Sequence, residues 1–408
     1  MSSKRSDISR RGFLTASISG LVSAGLVGIA PQAVLAQADE KKKKSDGKII
    51  YRKLGKTGMK VPIISLGVGG VGSPALVQSA YELGMRLFDT AANYANGRNE
   101  QMLGQVLHKL GVRDKSIIVS KIFVRPQRQG VDAVTLKAKA LSLLEGSLRR
   151  LKTDYIDILM VHDIFSVEEM NQPGLLEAMQ NLKKTGKVKA IGVSTHANMA
   201  VVLNEAARSG QWDVVLTSFN FTMADDAEMM SAIKAAADSG IGIIAMKTQA
   251  GGANWPNPES RQNYSSSTIN KAVLRWVMNN PFVHTAVPGV NNFDYLKEDW
   301  EIATSLEYPE DEKKILGDNN IKLSMGFCRQ CKTCLASCPN DADIPTLMRT
   351  HMYAKQYSDF YLARTTFDSI PKNQSLSTCS SCSECVAQCA HKSVDIASNI
   401  ANLKLIYA

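Results

Sequence analysis

All eight cysteines of the 408-residue chain fall in its last fifth, in two copies of one spacing, Cys-x2-Cys-x2-Cys-x3-Cys. Three cysteines on one tight loop and a fourth beyond it can surround a small inorganic cluster, because each iron corner takes one thiolate. The two copies consist of Cys328, Cys331, Cys334 and Cys338, and of Cys379, Cys382, Cys385 and Cys389.

This spacing resembles the ligand run of bacterial two-cluster ferredoxins, in which the fourth cysteine of each run ligates the other cluster. The resemblance implies two [4Fe–4S] clusters and one-electron transfer. Zinc is the first alternative, but it closes on four ligands and rarely takes a third cysteine at another x2 step. Disulfides are the second, but thiols so closely spaced pair poorly. Ala390 follows Cys389 where Pro339 follows Cys338, a difference that removes no ligand.

The first 38 residues carry an export pattern. Arg10 and Arg11 stand just before Phe13 and Leu14, and a weakly apolar run over 14–35 leads to Ala-Gln-Ala. This order resembles a twin-arginine signal, which implies cleavage near residue 38, passage through the Tat translocase and a periplasmic location. Folded export suits clusters that are built in the reducing cytoplasm. The alternative is an uncleaved membrane anchor, since the run is about long enough to span a bilayer.

The chain is basic, with a formal net charge of +10 at pH 7. The signal segment 1–38 has four basic residues and one acidic residue, a net +3, so the remainder carries +10 − 3 = +7. Four lysines at 41–44 fall in a polar linker, 39–48, which is predicted to be a solvated spacer; attraction to anionic lipid or an acidic partner is the alternative. Sparse aromatics and the lack of any recognition motif predict no nucleic-acid binding.

Between residues 49 and 310, short apolar strands alternate with amphipathic helices such as 132–151. Eight such units in about 250 residues predict an α/β fold, a parallel (β/α)₈ TIM barrel, followed by a small ferredoxin-like iron–sulfur domain over 311–408. The stretch 49–61 is expected to form a hairpin across the bottom of the barrel. The predicted strands are 63–68, 86–90, 116–121, 155–162, 188–194, 214–220, 242–247 and 283–288.

Polar residues stand at the carboxyl ends of successive strands, where such barrels carry their chemistry. Asp89 and Tyr94 follow the second strand, Lys121 ends the third, and His162 ends the fourth. With Phe-Asp-Thr-Ala before the tyrosine and Gly-Val-Ser at 192–194, this set resembles the catalytic tetrad of the aldo-keto reductases. The resemblance covers about residues 49–305. With signal and tail included, the whole chain resembles the exported, iron–sulfur-bearing branch of that family.

The tetrad residues have the chemistry of proton transfer at a carbonyl. A carbonyl that accepts hydride develops negative charge on oxygen and needs a proton. Free tyrosine has a pKa of about 10, and a neighbouring ammonium lowers it. Lys121 is therefore expected to lower the pKa of Tyr94, Asp89 to hold Lys121, and His162 to orient the oxygen of a small-molecule carbonyl or alcohol.

The resemblance also implies a nicotinamide cofactor, but the chain departs from the family pattern. Thr195 and His196 follow Ser194 where the family has Asn, and Leu216 and Met246 replace its Gln and its ring-stacking aromatic. The remaining candidates for NAD(P)(H) contacts are Ser194, Asn220 and Lys247 for the ring, and Pro288, Gly289, Val290 and Asn291 for the pyrophosphate.

At the phosphate end, Gly289 stands where the family often has a Lys, and Tyr295 where it often has an Arg. Both of those basic residues grip the 2′-phosphate of NADPH in the family, so selectivity for NADPH is not supported. NAD(H) and no bound nicotinamide remain equal alternatives.

The stretch 344–367 between the cysteine runs is predicted to be one helix whose aromatics pack over clusters and barrel. Arg329, Lys332, Arg349 and Lys355 are expected on the surface, solvated, with attraction to an acidic redox partner as the alternative.

Two functions follow. One is an exported oxidoreductase that interconverts a carbonyl and an alcohol at the barrel mouth, with electrons relayed through two [4Fe–4S] clusters to or from a periplasmic or membrane redox partner. The alternative is an electron-transfer subunit of a periplasmic redox complex, in which the barrel is a non-catalytic scaffold.

Overall fold

A computed structural model describes residues 47–124, 132–251 and 263–407. The predicted signal peptide, 1–38, and the linker up to residue 46 lie outside the described residues. Among the residues that the structure describes, no helix has the length and apolar character needed to cross a membrane.

Eight parallel strands in sequence order form the central sheet, which confirms the predicted (β/α)₈ architecture. The first and last strands meet through bridges that join Ile64 to Ala286 and Gly67 to Gly289, so the sheet curls into a nearly closed barrel. The strands are β3 (Leu66–Gly67), β4 (Leu87–Asp89), β5 (Ile117–Ile122), β6 (Ile156–Val161), β7 (Val188–Thr195), β8 (Val214–Ser218), β9 (Gly242–Met246) and β10 (Thr285–Ala286).

The predicted hairpin closes the bottom of the barrel. Strands β1 (Tyr51–Lys53) and β2 (Lys60–Pro62) pair antiparallel, and the turn between them presses Leu54 against the start of β9, where it is fully buried. Gly55 has a φ of +51°, and a Cβ there would lie 2.4 Å from the carbonyl oxygen of Gly240. Only glycine therefore permits this close approach of two backbones.

Helices surround the barrel and bury their apolar faces against it. The predicted helix 132–151 is confirmed: it begins where the Asp132 side chain accepts a hydrogen bond from the Thr135 amide at 2.8 Å. The barrel helices are α1 (Pro74–Leu83), α2 (Arg98–Leu110), α3 (Ala133–Leu151), α4 (Val167–Met170), α5 (Pro173–Lys184), α6 (Met199–Ser209), α7 (Ala227–Asp238), α8 (Ser266–Asn279) and α9 (Phe293–Glu301).

The tail is helical between its cysteine loops. Its helices are α10 (Glu310–Gly317), α11 (Asn319–Ser324), α12 (Ile344–Lys355), α13 (Phe360–Asp368) and α14 (Ile396–Tyr407). The prediction of one helix over 344–367 is wrong, because the chain breaks at Ser358, whose φ is +53°. Asp359 then caps a new helix by accepting a hydrogen bond from the Leu362 amide at 2.8 Å.

Candidate active site and cluster sites

The four predicted tetrad residues come together at the carboxyl ends of β4, β5 and β6. The ammonium of Lys121 lies 2.8 Å from both carboxylate oxygens of Asp89 and 3.5 Å from the Tyr94 hydroxyl. It also donates to the carbonyl oxygen of Thr90 at 2.8 Å. Lys121 is only 1% exposed. Its ammonium is held in place by Asp89, as the sequence predicts.

Tyr94 stands on a short turn, Tyr94–Gly97, that leads into α2. Its ring lies against Gly69, where a Cβ would be 3.0 Å from a ring carbon. Any side chain at position 69 would therefore press on the tyrosine. The backbone of Ala95 and Asn96 lies in the left-handed region, with φ values of +47° and +55°, which turns the chain sharply after Tyr94.

Burial dominates the electrostatics of this group. It raises the pKa of Asp89, against the effect of Lys121, and lowers the pKa of Lys121, against the effect of Asp89. Burial also raises the pKa of Tyr94, and the carboxylates of Asp89 and Asp163 raise it further. The expected lowering of the Tyr94 pKa by Lys121 is therefore wrong, because burial and two anions outweigh one cation that Asp89 already neutralises.

His162 follows β6 directly and is oriented by a residue that the sequence did not single out. Its Nδ1 lies 3.0 Å from Oδ1 of Asn93, and because an amide oxygen only accepts, Nδ1 carries the proton. The ring meets that of Tyr94 edge-on, with centroids 5.7 Å apart, and that of Phe123 at 6.3 Å. The side chains of His162 and Tyr94 are thus adjacent, so that both can hydrogen-bond to one carbonyl oxygen.

The candidate contacts for a nicotinamide ring are largely committed to the protein itself. Asn220 accepts hydrogen bonds from the amide and hydroxyl of Thr222 at 3.1 and 2.7 Å and donates to the carbonyl of Lys247 at 3.1 Å. Ser194 accepts a hydrogen bond from the amide of Asp163 at 3.0 Å. Leu216 is fully buried in the barrel interior. Asn220 and Ser194 thus already hydrogen-bond to groups of the protein, and the Leu216 side chain offers no polar group to a nicotinamide carboxamide.

The candidate pyrophosphate loop, 288–291, differs from the candidate ring contacts because part of it is exposed. Gly289 is exposed, and no atom lies within 4 Å of a Cβ built there. Asn292 caps α9 by accepting a hydrogen bond from the Tyr295 amide at 2.8 Å, so the loop does lead into a helix start as predicted. The phosphate end of the predicted cofactor site is thus open, whereas the ring end is not.

The fourth cysteine of the first run lies with the second run. One cavity in the tail is lined by Cys338 together with Cys379, Cys382 and Cys385. Lys404 lines the same cavity and donates to the carbonyl oxygen of Cys379 at 3.0 Å. This is the exchange of fourth thiols that the ferredoxin-like spacing predicts.

The remaining four cysteines form the other set. Burial raises the pKa of the Cys328 thiol to about 12, and the charges of Cys334, Cys389 and Cys331 raise it further, which places these sulfurs near one another. Ser393 lies 3.7 Å from the Cys389 sulfur and donates to the carbonyl of Phe327 at 3.1 Å. Across the described part of the chain, no three His, Cys, Asp or Glu side chains converge on a point that would hold a single metal ion.

The first cysteine loop lies on the mouth of the barrel. A small cavity there is lined by His196, Ser218 and Lys247 from the barrel, and by Cys328, Arg349 and Met352, among others, from the tail. The sequence did not predict this contact. It brings the Cys328 end of the first thiol set to the barrel face that carries the tetrad.

Ion pairs hold the tail in this position. Arg349 lies 3.5 Å from Asp163, and Asp225 lies 2.8 Å from Arg329 and 2.9 Å from Lys322. Arg329 also donates to the carbonyl oxygen of Thr222.

The expectation that Arg329 and Arg349 are solvated on the surface is wrong. They are 8% and 5% exposed, because carboxylates on the barrel loops pair with them. Lys332 and Lys355 are exposed, as expected.

Two basic side chains at the mouth are strongly perturbed. Burial lowers the pKa of Lys247 to about 7, and the nearby Arg349 charge lowers it further. Burial likewise lowers the pKa of His196 well below its usual value, assisted by Arg349 and Lys247. His196 lies 3.3 Å from the Ser218 hydroxyl through Nδ1. From the sequence, His196 could be recognised only as a departure from the family pattern. Its surroundings depend on the tail, which packs over it in the fold.

Two family descriptions match the chain. Residues 73–266 match the aldo/keto reductase family, and residues 327–394 match a 4Fe-4S dicluster domain. The chain is similar to L-galactose dehydrogenase of Arabidopsis thaliana, 27% identical over 291 residues that cover 64% of this chain and 90% of that protein. It is also similar to versiconal hemiacetal acetate reductase of Aspergillus parasiticus, 28% identical over 50% of this chain and 68% of that protein.

Solved structures share the barrel. An aldo-keto reductase of Bacillus halodurans in its holo form matches with a TM-score of 0.54 and 21% identity, over 66% of this chain and 96% of that chain. One of Klebsiella pneumoniae in complex with NADPH matches with a TM-score of 0.53 and 22% identity, over 67% and 94%. The chain thus joins an oxidoreductase domain of the aldo-keto reductase type to a 4Fe–4S domain.

Proposed function

We propose that the protein is an exported oxidoreductase that interconverts a carbonyl and an alcohol at the barrel mouth, with electrons relayed through two [4Fe–4S] clusters. One observation carries the proposal: Cys328 of the first thiol set lines a cavity with His196 and Lys247, on the barrel face where the tetrad is assembled. A redox centre and a proton-transfer site are thus adjacent in one chain.

The thiol sets assign the ligands. Cys338, Cys379, Cys382 and Cys385 would hold one cluster, and Cys328, Cys331, Cys334 and Cys389 the other. When bound, each cluster supplies one-electron transfer. A carbonyl takes up two electrons and two protons in becoming an alcohol. Two one-electron centres match the electron count, Tyr94 would supply the proton on oxygen, and water would supply the proton on carbon.

The tetrad residues supply the proton transfer. With its pKa raised, the Tyr94 hydroxyl keeps its proton near neutral pH, and it would give that proton to the carbonyl oxygen as negative charge develops there. His162 would bind the same oxygen, and Lys121 would stabilise negative charge as the proton leaves Tyr94.

The similar proteins support the substrate class. Two of them are named for a sugar dehydrogenase and a hemiacetal acetate reductase activity, and a third, methylglyoxal reductase of Escherichia coli, is 38% identical over 29% of this chain and 38% of that protein. All three names describe chemistry at a CH–OH or C=O group. These names support a small carbonyl or alcohol as the proposed substrate class.

The twin-arginine-like segment supports export through the Tat translocase to the periplasm. Free nicotinamide is scarce there, so electrons would come from, or go to, a periplasmic or membrane redox partner. The alternative function, an electron-transfer subunit with a non-catalytic barrel, is favoured by one observation: the Asn220 side chain accepts two hydrogen bonds and donates a third to groups of the protein itself.

Tyr94→Phe separates the two functions. In the anaerobic, dithionite-reduced holoprotein, the variant should slow reoxidation by a panel of small aldehydes and ketones by about 10²- to 10⁴-fold, with iron content unchanged. Tyr51→Phe, at the bottom of the barrel, is the matched control and should behave as wild type. An unaltered rate in Tyr94→Phe would leave only the electron-transfer subunit.

A further inference from the structure

We infer that the iron–sulfur tail of this chain fills the space that the family resemblance assigns to the nicotinamide ring, so that Cys328 faces the barrel mouth where a dinucleotide would lie. The inference rests on the proposed function and deepens it, because it identifies the route by which electrons reach the tetrad.

The first observation is the identity of the residues that meet at the mouth. Lys247 and His196 stand at the strand ends where the resemblance places nicotinamide contacts, and both line a cavity closed on the other side by Cys328, Met348 and Arg349. Side chains of the tail therefore lie over both Lys247 and His196. The cavity is small, so the docked tail leaves little room there for a nicotinamide ring.

The second observation is the close packing around Lys247. Its ammonium lies 4.4 Å from the ring centre of Tyr353 and 4.7 Å from that of Tyr357, a favourable contact between a cation and two aromatic faces. Four residues along the chain, a Cβ at Gly251 would be 2.1 Å from the side-chain oxygen of Gln356. The loop after β9 and the end of α12 are thus in direct contact.

The third observation is that charge pairs fix the tail to the loops around the mouth. Arg349 pairs with Asp163 after β6, and Arg329 and Lys322 pair with Asp225 after β8. Both arginines are more than nine-tenths buried, and a buried charge without its partner is costly. The docked arrangement is therefore a stable part of the fold.

Two measurements on the anaerobic holoprotein test the inference. Equilibrium dialysis with NADH and with NADPH should show no saturable binding at millimolar concentrations. Lys247→Met removes a positive charge from the cavity that Cys328 also lines, which should lower the midpoint potential of one cluster in an EPR-monitored titration at about pH 5.5, where the lysine is charged, and leave the other unchanged. Lys56→Met, in the turn at the bottom of the barrel, is the matched control and should shift neither potential.

Support requires both results. Binding of one NADH or NADPH per chain would overturn the inference, as would unchanged potentials in Lys247→Met. Either outcome is distinct from failure of the proposed function, which depends on the reoxidation rate of Tyr94→Phe. Iron content and visible absorption of each variant, compared with wild type, establish that the clusters are loaded before either measurement is interpreted.

Discussion

The guanidinium of Arg349 in the tail lies 3.5 Å from the carboxylate of Asp163 at the barrel mouth. Its side chain is 5% exposed, whereas that of Asp163 is 15% exposed. Removing one partner of a buried pair leaves the other charge without compensation, and this costs more than the pair itself contributes. The contact is thus one at which a single substitution should weaken the docking of the tail.

Asp163→Asn should destabilise the docked tail by about 3 kcal/mol, because the buried Arg349 charge loses its ion-pair partner. Anaerobic guanidinium titration followed by visible absorption of the clusters measures the effect. Asp368→Asn, which removes one partner of an exposed pair with Arg364 on α13, should leave the midpoint unchanged. Equal midpoints for Asp163→Asn and wild type would show that the pair does not hold the tail.

The fourth cysteine of each run belongs to the thiol set of the other run. This exchange predicts which cysteine substitutions remove the same cluster. Cys338→Ser should remove the same cluster as Cys379→Ser, although Cys338 belongs to the first run, because both line one cavity. Cys389→Ser should match Cys328→Ser. Iron should fall from about eight to about four per chain, and EPR identifies the cluster that remains. Spectra of Cys338→Ser that match those of Cys328→Ser would contradict the exchange of fourth thiols between the two sets.

Gly251→Ala should force the loop after β9 away from the tail. Its φ is +99°, and the added carbon would meet Gln356 at 2.1 Å, so we expect a cost of about 1–3 kcal/mol from strain and overpacking. Gly317→Ala is the control, since no atom lies within 4 Å of a Cβ there. The thermal midpoint of the cluster absorption should fall only in Gly251→Ala; a shift of the same size in both would refute the steric contact.

Asp299 on α9 makes the stability of the barrel depend on pH. Burial raises the pKa of this carboxyl to about 8, against a hydrogen bond that Gln249 donates at 2.7 Å. Its folded pKa exceeds its unfolded value of 3.8, so its contribution to stability is present below about pH 4 and is lost as pH rises to about 8, by up to about 1.4 kcal/mol per unit.

Asp299→Asn should therefore gain stability relative to wild type between pH 5 and pH 8. Tryptophan fluorescence reports on the barrel alone, because all four tryptophans precede residue 301. Asp294→Asn, at an exposed position of the same helix, should keep the wild-type dependence. If Asp299→Asn and wild type lose stability in parallel over this range, the carboxyl is ionised in the folded protein.

The barrel and the tetrad were predictable because their signals are local. Short apolar runs that alternate with amphipathic helices indicate the strands, and the strand ends then place Asp89, Lys121 and His162 at one mouth. The break after α12 also had a local signal, since Ser358 and Asp359 are typical of a helix start. The apolar pattern on both sides of these residues favoured one continuous helix, so that the cap was overlooked.

Docking of the tail was not predictable from the sequence. The partners of Arg329 and Arg349 lie 104 and 186 residues away, and no local pattern links them. Arginine is solvated by default, so only the assembled fold shows that these two are buried. The raised pKa of Tyr94 has the same origin, because burial at the mouth depends on elements from distant parts of the chain.

The exchange of Cys338 and Cys389 between the two thiol sets also bears on how the protein matures. Metal binding is folding energy for such segments, so iron ligated by cysteines of both runs would strengthen the attachment of the two loops to each other. Helix α12 joins those loops and also spans the barrel mouth. A chain that has not received its iron would therefore leave α12 less firmly held over the barrel mouth, so that the loaded and unloaded proteins differ in the surface they expose.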